Sequence, residues 1–291
     1  MDELLSQIEF ETISPATRLL KAAVVHPLVN YLPAGLLKGV LRLSRSELAA
    51  ANWADPGGWR SMVISYNGRC RQWADKLLVA GGTIPMALRN RRRLAGKVLA
   101  HLIDQAHSDP VQVLCVGAGP GMIIIDAMVQ ARRAAVATLV DLRDDAHQYA
   151  SDLARRHGLG DRIRFVTGDA RDIGKLADCR PEVVKMIGIC EYLSDEEIGQ
   201  IASALAGVMP HRGAILFNSL SKSHGTDRFF RRVFGLHMIH RSPQDLQEIM
   251  ARAGFGDFVS IGEPLGVYHV ILGRRRGLQP AINGGLEPRR P

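Results

Sequence analysis

The glycine-rich stretch that begins at residue 117 constrains the fold more than any other part of the chain. Residues 111–116 are apolar or β-branched except for Gln112, as is typical of a buried strand. Gly117, Gly119 and Gly121 follow it, and an apolar segment from Met122 onward continues as a helix. A strand, a tight glycine turn and a helix N-terminus bring backbone N–H groups to one point. The stretch therefore predicts a site for a nucleotide-like ligand.

The spacing of these glycines separates classes of nucleotide site. A dinucleotide fingerprint has its third glycine where this chain has Met122, and a phosphate-binding P-loop has Lys and Ser or Thr after its glycines, which this chain lacks. Met122 thus disfavours a nicotinamide oxidoreductase. A single loop of this kind is also compatible with an ordinary strand-to-helix turn, so its interpretation depends on neighbouring segments.

Two carboxylates follow the next two predicted strands. Asp141 ends a short strand over 137–140, about twenty residues beyond the loop, where an α/β sheet places an acid on a ribose diol. Asp169 follows a third strand over 162–167 and is suited to accept from the exocyclic amine of adenine. Because the carboxyl ends of parallel strands meet at one sheet edge, we expect all three features to surround one ligand.

Residues 111–121, Asp141 and Gly168–Asp169 resemble the first three motifs of the class I S-adenosylmethionine-dependent methyltransferases, and residues 188–195 resemble their fourth. The resemblance covers about residues 100–275, and the chain is similar to a bacterial branch with a long helical N-terminal extension. It implies an α/β, Rossmann-like methyltransferase fold: a seven-stranded, mostly parallel sheet with helices on both faces, plus a helical N-terminal cap. The implied cofactor is S-adenosyl-L-methionine.

The resemblance also assigns cofactor-binding residues. They are Gly117, Ala118, Gly119, Gly121, Asp141, Leu142, Asp169, Ala170, Gly188 and, because such caps can lay a tyrosine near the cofactor, Tyr66. One position departs from the family, which usually has an acidic residue two positions before the first glycine. Here that position is Cys115. The contact usually made near the methionine end of the cofactor is therefore lost or replaced.

Three residues are candidates for catalysis. Glu191 and Tyr192 follow a fourth strand over 182–189 and could orient an acceptor, although Glu191 is equally compatible with the start of the next helix. His224 lies in a segment, 220–241, that we expect over the acceptor site. A histidine with its ordinary pKa of about 6.5 can accept a proton from a hydroxyl. A core or surface histidine is the alternative, and we expect no metal site.

Composition sets broad limits on partners and environment. The chain has 291 residues and a net charge of +8, which permits nucleic acid or anionic lipid as a partner without requiring either. Its four cysteines, Cys70, Cys115, Cys179 and Cys190, lack the spacing of a metal site, and the acidic first residues do not resemble a signal peptide. A reduced, cytoplasmic protein is expected.

Residues 1–105 are predicted to form the helical cap, residues 106–275 the methyltransferase domain and residues 276–291 a disordered tail. The apolar run from Leu19 to Leu43 is interrupted by charged residues and prolines, so it is not a spanning helix. We expect two short amphipathic helices packed on the catalytic domain or on a partner chain. A substrate lid or a membrane-surface contact is the alternative, and a homodimer through these helices is left open.

The basic cluster at residues 89–93 is predicted to begin a helix and to form a solvated face. Contact with the cofactor carboxylate or with nucleic acid is the alternative.

The whole pattern predicts transfer of a methyl group from S-adenosylmethionine to a small, partly apolar acceptor. O-methylation is favoured, with N- or C-methylation open. An RNA or other nucleic-acid methyltransferase, and a non-methylating protein of this fold that binds S-adenosylmethionine, are the alternatives.

Overall fold

A computed structural model describes residues 2–176 and 179–277 of the chain. At the centre of the molecule lies one sheet of seven strands: β1 (Val111–Val116), β2 (Ala135–Asp141), β3 (Ile163–Thr167), β4 (Val183–Met186), β5 (Ala214–Leu220), β6 (Phe255–Gly262) and β7 (Tyr268–Arg275). Their order is β3-β2-β1-β4-β5-β7-β6. Strands β1 to β5 pair in parallel, and β7 is antiparallel to β5 and β6. The predicted mostly parallel sheet is confirmed.

The residues of β1 alternate between two apolar layers. Val113 and Cys115 pack on one side of the sheet and Leu114 and Val116 on the other. Because helices cover both faces, every residue of this strand except Gln112 is buried. This double burial explains why the strand is a continuous apolar run rather than an alternating one.

The chain before β1 is helical. Its helices are α1 (Asp2–Ser6), α2 (Pro15–Leu20), α3 (His26–Tyr31), α4 (Ala34–Leu43), α5 (Glu47–Ala54), α6 (Trp59–Asn67), α7 (Trp73–Asp75) and α8 (Thr83–Gln105). A π-helical turn over Lys21–Val25 joins α2 to α3, and a second one over Lys76–Ala80 follows α7.

The helices after β1 cover the sheet. They are α9 (Met122–Gln130), α10 (Asp144–Arg156), α11 (Ile173–Leu176), α12 (Asp195–Val208), α13 (Asp227–Phe229) and α14 (Pro243–Arg252). Ser194 and Ser242 cap α12 and α14, each with a complete capping box. These capping boxes fix the starts of α12 and α14.

Helix α8 differs from its prediction in two respects. It begins at Thr83, six residues before the basic cluster that was predicted to start it. The cluster does not form a solvated face either, since Arg89, Asn90 and Arg91 are buried. The C-terminal half of α8 lies in the same apolar layer as Val113 and Cys115, so this helix links the cap to the sheet.

Within the described residues, no single helix combines the length and apolarity needed to cross a membrane. Only Pro15–Tyr31 taken together with α4 meets that requirement, and the two are bent by 97°. Most of the predicted tail, residues 278–291, lies outside the described part of the chain.

Candidate functional site

The glycine turn between β1 and α9 has the backbone that its sequence predicts. Gly117, Gly119 and Gly121 have φ values of +61°, +55° and +68°, which side chains with a Cβ rarely adopt. A Cβ on Gly117 would lie 3.0 Å from Ile189, whereas one on Gly119 would meet no atom within 4 Å. The turn therefore leaves open space at Gly119, on the side that faces a cavity.

Asp141 holds this turn from the end of β2. Its Oδ2 accepts a hydrogen bond from the Gly119 N–H at 2.7 Å, and its Oδ1 accepts one from the Arg143 N–H at 3.1 Å. Each carboxylate oxygen has a further lone pair, so Asp141 can still accept from ligand hydroxyls. The predicted juxtaposition of carboxylate and glycine turn is present.

Asp169 lies beside Asp141 because Gly168, its neighbour, donates its N–H to the Asp141 carbonyl at 3.0 Å. Its carboxylate is paired with the Arg171 guanidinium at 2.5 Å. Hydrogen bonds from the Arg171 side chain and backbone lower the pKa of Asp169. The carboxylate is thus ionised and shared, so Arg171 competes with any amine that approaches it.

A cavity of about 650 Å³ opens between this sheet edge and the helical cap. Most of the predicted site residues line it: Gly117, Ala118, Gly119, Asp141, Leu142, Asp169, Ala170, Gly188, Tyr66, Glu191 and Tyr192. Gly121 does not line it, because the space at its Cβ is closed by Ala150 at 3.0 Å. Gly121 begins α9 instead.

His224 is the second predicted residue that the structure does not bring to the cavity. Its ring is fully buried, with Nδ1 3.0 Å from the Thr226 hydroxyl and Nε2 3.2 Å from His240 Nε2. Burial lowers the pKa of His224 to about 4. The ring is part of the core and does not line the cavity, which is one of the two alternatives that the sequence left open.

The lining of the cavity also contains a buried charged cluster. Arg91 of α8 places Nη1 3.2 Å from Glu191 Oε1 and Nη2 3.1 Å from the Tyr66 hydroxyl. Its guanidinium lies 4.5 Å from the centre of the Tyr268 ring. Glu191 Oε2 is buried and has no hydrogen-bond partner among the described residues. That oxygen can accept a proton or a hydrogen bond from a ligand in the cavity.

The buried ion pair of Arg91 was not predicted from the sequence. A signal was present, because Arg91 is three residues from both Leu88 and Leu94, and all three are buried on one side of α8. An arginine within an apolar helical stripe is a better candidate for a buried ion pair than its neighbours in a basic cluster.

Lys185 of β4 is a second site residue that was not predicted from the sequence. It is paired in register with Cys115, lines the cavity and donates to the Gly117 carbonyl at 3.2 Å. Burial lowers the pKa of Lys185 and raises that of Cys115 to about 12. Cys115 is therefore a neutral thiol. Where the family usually has an acidic residue, this chain has Cys115, and the ionisable side chain next to it is Lys185.

Over residues 2–176 and 179–277, no three His, Cys, Asp or Glu side chains are grouped so that they could hold a metal ion.

Residues 72–275 match the model of a family described as "Putative methyltransferase". A search of the curated proteins finds no match.

Three solved structures illustrate the similarity of fold. A possible exported protein from Bordetella parapertussis is 13% identical, with a TM-score of 0.62 over 91% of this chain and 100% of that one. Magnesium protoporphyrin IX methyltransferase from Synechocystis PCC 6803, with bound SAH, is 14% identical, with a TM-score of 0.56 over 82% and 99%. An O-methyltransferase family protein from Burkholderia thailandensis is 16% identical, with a TM-score of 0.54 over 68% and 60%. At these identities the likeness concerns the fold.

Proposed function

Because this chain belongs to the methyltransferase family whose model matches residues 72–275, we propose that it methylates a small, partly apolar acceptor, with O-methylation favoured. Its cofactor is S-adenosylmethionine, as in the class I methyltransferase superfamily. The observation that carries the acceptor proposal is that Glu191 lines the same cavity as the glycine turn and that its buried Oε2 has no hydrogen-bond partner among the described residues. A cytoplasmic setting belongs to the same proposal.

The sheet edge would hold the nucleoside end of the cofactor. Asp141 can accept from the two ribose hydroxyls while it keeps its bond to Gly119, and the open space at Gly119 allows a ligand to approach the backbone. Ala170 and Asp169 would border the adenine. Lys185 lies beside Cys115, which occupies the position of the family's acidic residue, and it would attract the cofactor carboxylate.

The part of the cavity around Glu191 and Arg91 would hold the acceptor. When bound, the cofactor supplies an activated methyl group, so the protein must align the acceptor, exclude water and receive a proton. Glu191 is suited to receive the proton from an acceptor hydroxyl. Arg91 holds its carboxylate by donating to Oε1, and the same guanidinium donates to the Tyr66 hydroxyl. Apolar side chains also line the cavity, among them Leu48, Met62, Ile84, Phe230, Leu236 and Met238.

A pair of matched glycine variants tests the cofactor site. Gly119 and Gly158 have φ values of +55° and +68°, and a Cβ at either meets no atom within 4 Å, but only Gly119 faces the cavity. We expect Gly119→Ala to weaken S-adenosylmethionine binding at least about tenfold in calorimetry, whereas Gly158→Ala binds as the parent does. Equal affinities, or no binding by the parent, would refute the site.

The acceptor assignment needs a separate measurement. We expect the parent to release S-adenosylhomocysteine with members of a panel of small phenols and apolar alcohols. We expect Glu191→Gln to slow release by about 10²–10⁴-fold, the usual contribution of a general base, with unchanged cofactor affinity. Cofactor binding without release for any acceptor would support the non-methylating alternative instead.

A further inference from the structure

The helix Pro15–Tyr31 is unusual because it is apolar and yet most of its large apolar side chains are exposed. None of the residues in α2, in the following π-helical turn or in α3 is buried. Leu19 is 72% exposed and Tyr31 71% exposed. The other large apolar side chains that are exposed on this helix and on α4 are Leu20, Val24, Val25, Leu28, Leu36 and Leu43. The expected packing on the catalytic domain is therefore partial, because Leu41 belongs to an apolar cluster that includes Phe229 and Phe234, and Val29 and Leu37 pack against that cluster.

Polar contacts fix the position of this helix. Lys21 Nζ donates to the Gly81 carbonyl at 2.6 Å, and the Asn30 side chain donates to the Gly225 carbonyl at 2.8 Å and accepts from the Phe229 N–H at 3.0 Å. The helix is therefore held against the protein while most of its large apolar side chains remain exposed. So many exposed apolar side chains on one segment indicate an interaction site.

The charges of the same segment have one sign. Between Glu11 and Glu47 the chain has no Asp or Glu, but it has five cations: Arg18, Lys21, Lys38, Arg42 and Arg45. Arg18, Arg42 and Arg45 are exposed. A surface that combines apolar side chains with unopposed cations complements an anionic lipid headgroup layer.

We propose that residues 15–45, the basic apolar arm, dock this protein on the surface of an anionic lipid bilayer. The arm would lie in the interface rather than span it, because neither of its two helices is long enough alone and they are bent by 97°. The apolar side chains would enter the acyl boundary, and the arginines would contact the headgroups. This inference does not depend on methyl transfer.

A second copy of the chain complements the basic apolar arm less well than an anionic bilayer does. A two-fold interface places the same surface of each copy against the other. The arginines of one arm would then approach those of its partner, and the arm supplies no carboxylate to pair with them. The sequence left this homodimer open, and it becomes one outcome of the test.

Vesicle co-sedimentation of the full chain tests the proposal. We expect the parent to bind phosphatidylcholine vesicles that contain phosphatidylglycerol at least about tenfold more tightly than vesicles without it, and added salt to reduce the difference. Val24→Glu introduces a charge on the arm, and Val129→Glu introduces it on α9. The two valines are 45% and 53% exposed, so the substitutions are matched.

We expect Val24→Glu to lower vesicle affinity about tenfold and Val129→Glu to leave it unchanged. Both variants should retain the parental melting temperature and S-adenosylmethionine affinity, which separates this test from that of the cofactor site. Equal vesicle binding by the two variants, or none by the parent, would overturn the proposal. So would a dimer in light scattering that Val24→Glu dissociates, since the arm would then bind a second copy.

Discussion

Asp141 serves the glycine turn and, in our proposal, the ribose. Its two oxygens already accept N–H groups from Gly119 and Arg143. We expect Asp141→Ala to weaken S-adenosylmethionine binding by about 1–3 kcal/mol, roughly 10-fold to 100-fold, as is usual for hydrogen bonds to a charged group. Calorimetry on this variant and on the parent measures the loss.

Two controls separate direct contact from an effect on the turn. Asp141→Asn keeps an oxygen for the Gly119 N–H but removes the charge, and we expect an intermediate affinity. Asp152→Ala removes an exposed carboxylate that contacts Arg155, and it should bind as the parent does. Parental affinity for Asp141→Ala would contradict the assignment.

Arg91 and Glu191 form an ion pair in which both side chains are at most 5% exposed. Removing one partner leaves an uncompensated buried charge, so we expect Arg91→Met to destabilise the protein by about 3–5 kcal/mol. Arg91→Met combined with Glu191→Leu removes both charges, and we expect it to be less destabilising than the sum of the two single changes. Urea unfolding of the four proteins measures the coupling free energy. Additive effects would show that the pair does not interact.

Helices α8 and α9 pack closely at Gly96. A Cβ there would lie 3.5 Å from Asp126 Cβ, an ordinary van der Waals distance, and the backbone is helical. Alanine is favoured over glycine inside a helix, so we expect Gly96→Ala to stabilise the protein by about 0.5–1 kcal/mol. Gly121→Ala is the contrasting variant, because its φ is +68° and its Cβ would lie 3.0 Å from Ala150. We expect it to be destabilising by about 1–3 kcal/mol.

Thermal unfolding of both glycine variants checks this pair of expectations. Destabilisation by Gly96→Ala would indicate that α8 and α9 lie closer together than a methyl group permits.

Glu11 fastens the N-terminal segment to α8. Its carboxylate accepts from Arg89 Nε at 2.7 Å and Nη2 at 2.6 Å, and Asn90 bonds both its backbone N–H and its carbonyl. Asn90 also donates to Glu263, which precedes β7. One short segment thus joins the N-terminus, α8 and the last hairpin of the sheet.

This fastening makes stability depend on pH. The hydrogen bond from Arg89, first among several causes, lowers the pKa of Glu11 from 4.5. A lowered carboxyl pKa in the folded state contributes stability above the unfolded value, and that contribution is lost as the pH falls through the folded value. We expect Glu11→Gln to lower the melting temperature most near neutral pH and progressively less below about pH 4.5.

Glu9→Gln, at an exposed carboxylate in the same segment, is the control and should have the parental pH profile. A gap between parent and Glu11→Gln that stays constant down to acid pH would show that ionisation of Glu11 is not involved.

The amino-acid sequence was sufficient for the features that depend on neighbouring residues. A run of apolar residues specified β1, and the spacing of three glycines specified the turn. The positions of Asp141 and Asp169 were also predictable, because Asp141 ends β2, Asp169 lies two residues after β3, and parallel strands end at a common edge.

Packing between distant segments settled the rest. Arg91 and Glu191 are 100 residues apart, and only the docking of α8 against the end of β4 makes them an ion pair. The sequence left a core position for His224 open, and the packing placed it there. The helix Pro15–Tyr31 kept most of its large apolar side chains exposed, although the sequence favoured packing on the catalytic domain or on a partner chain. Burial depends on what the rest of the chain places beside a residue, and local composition does not contain that information.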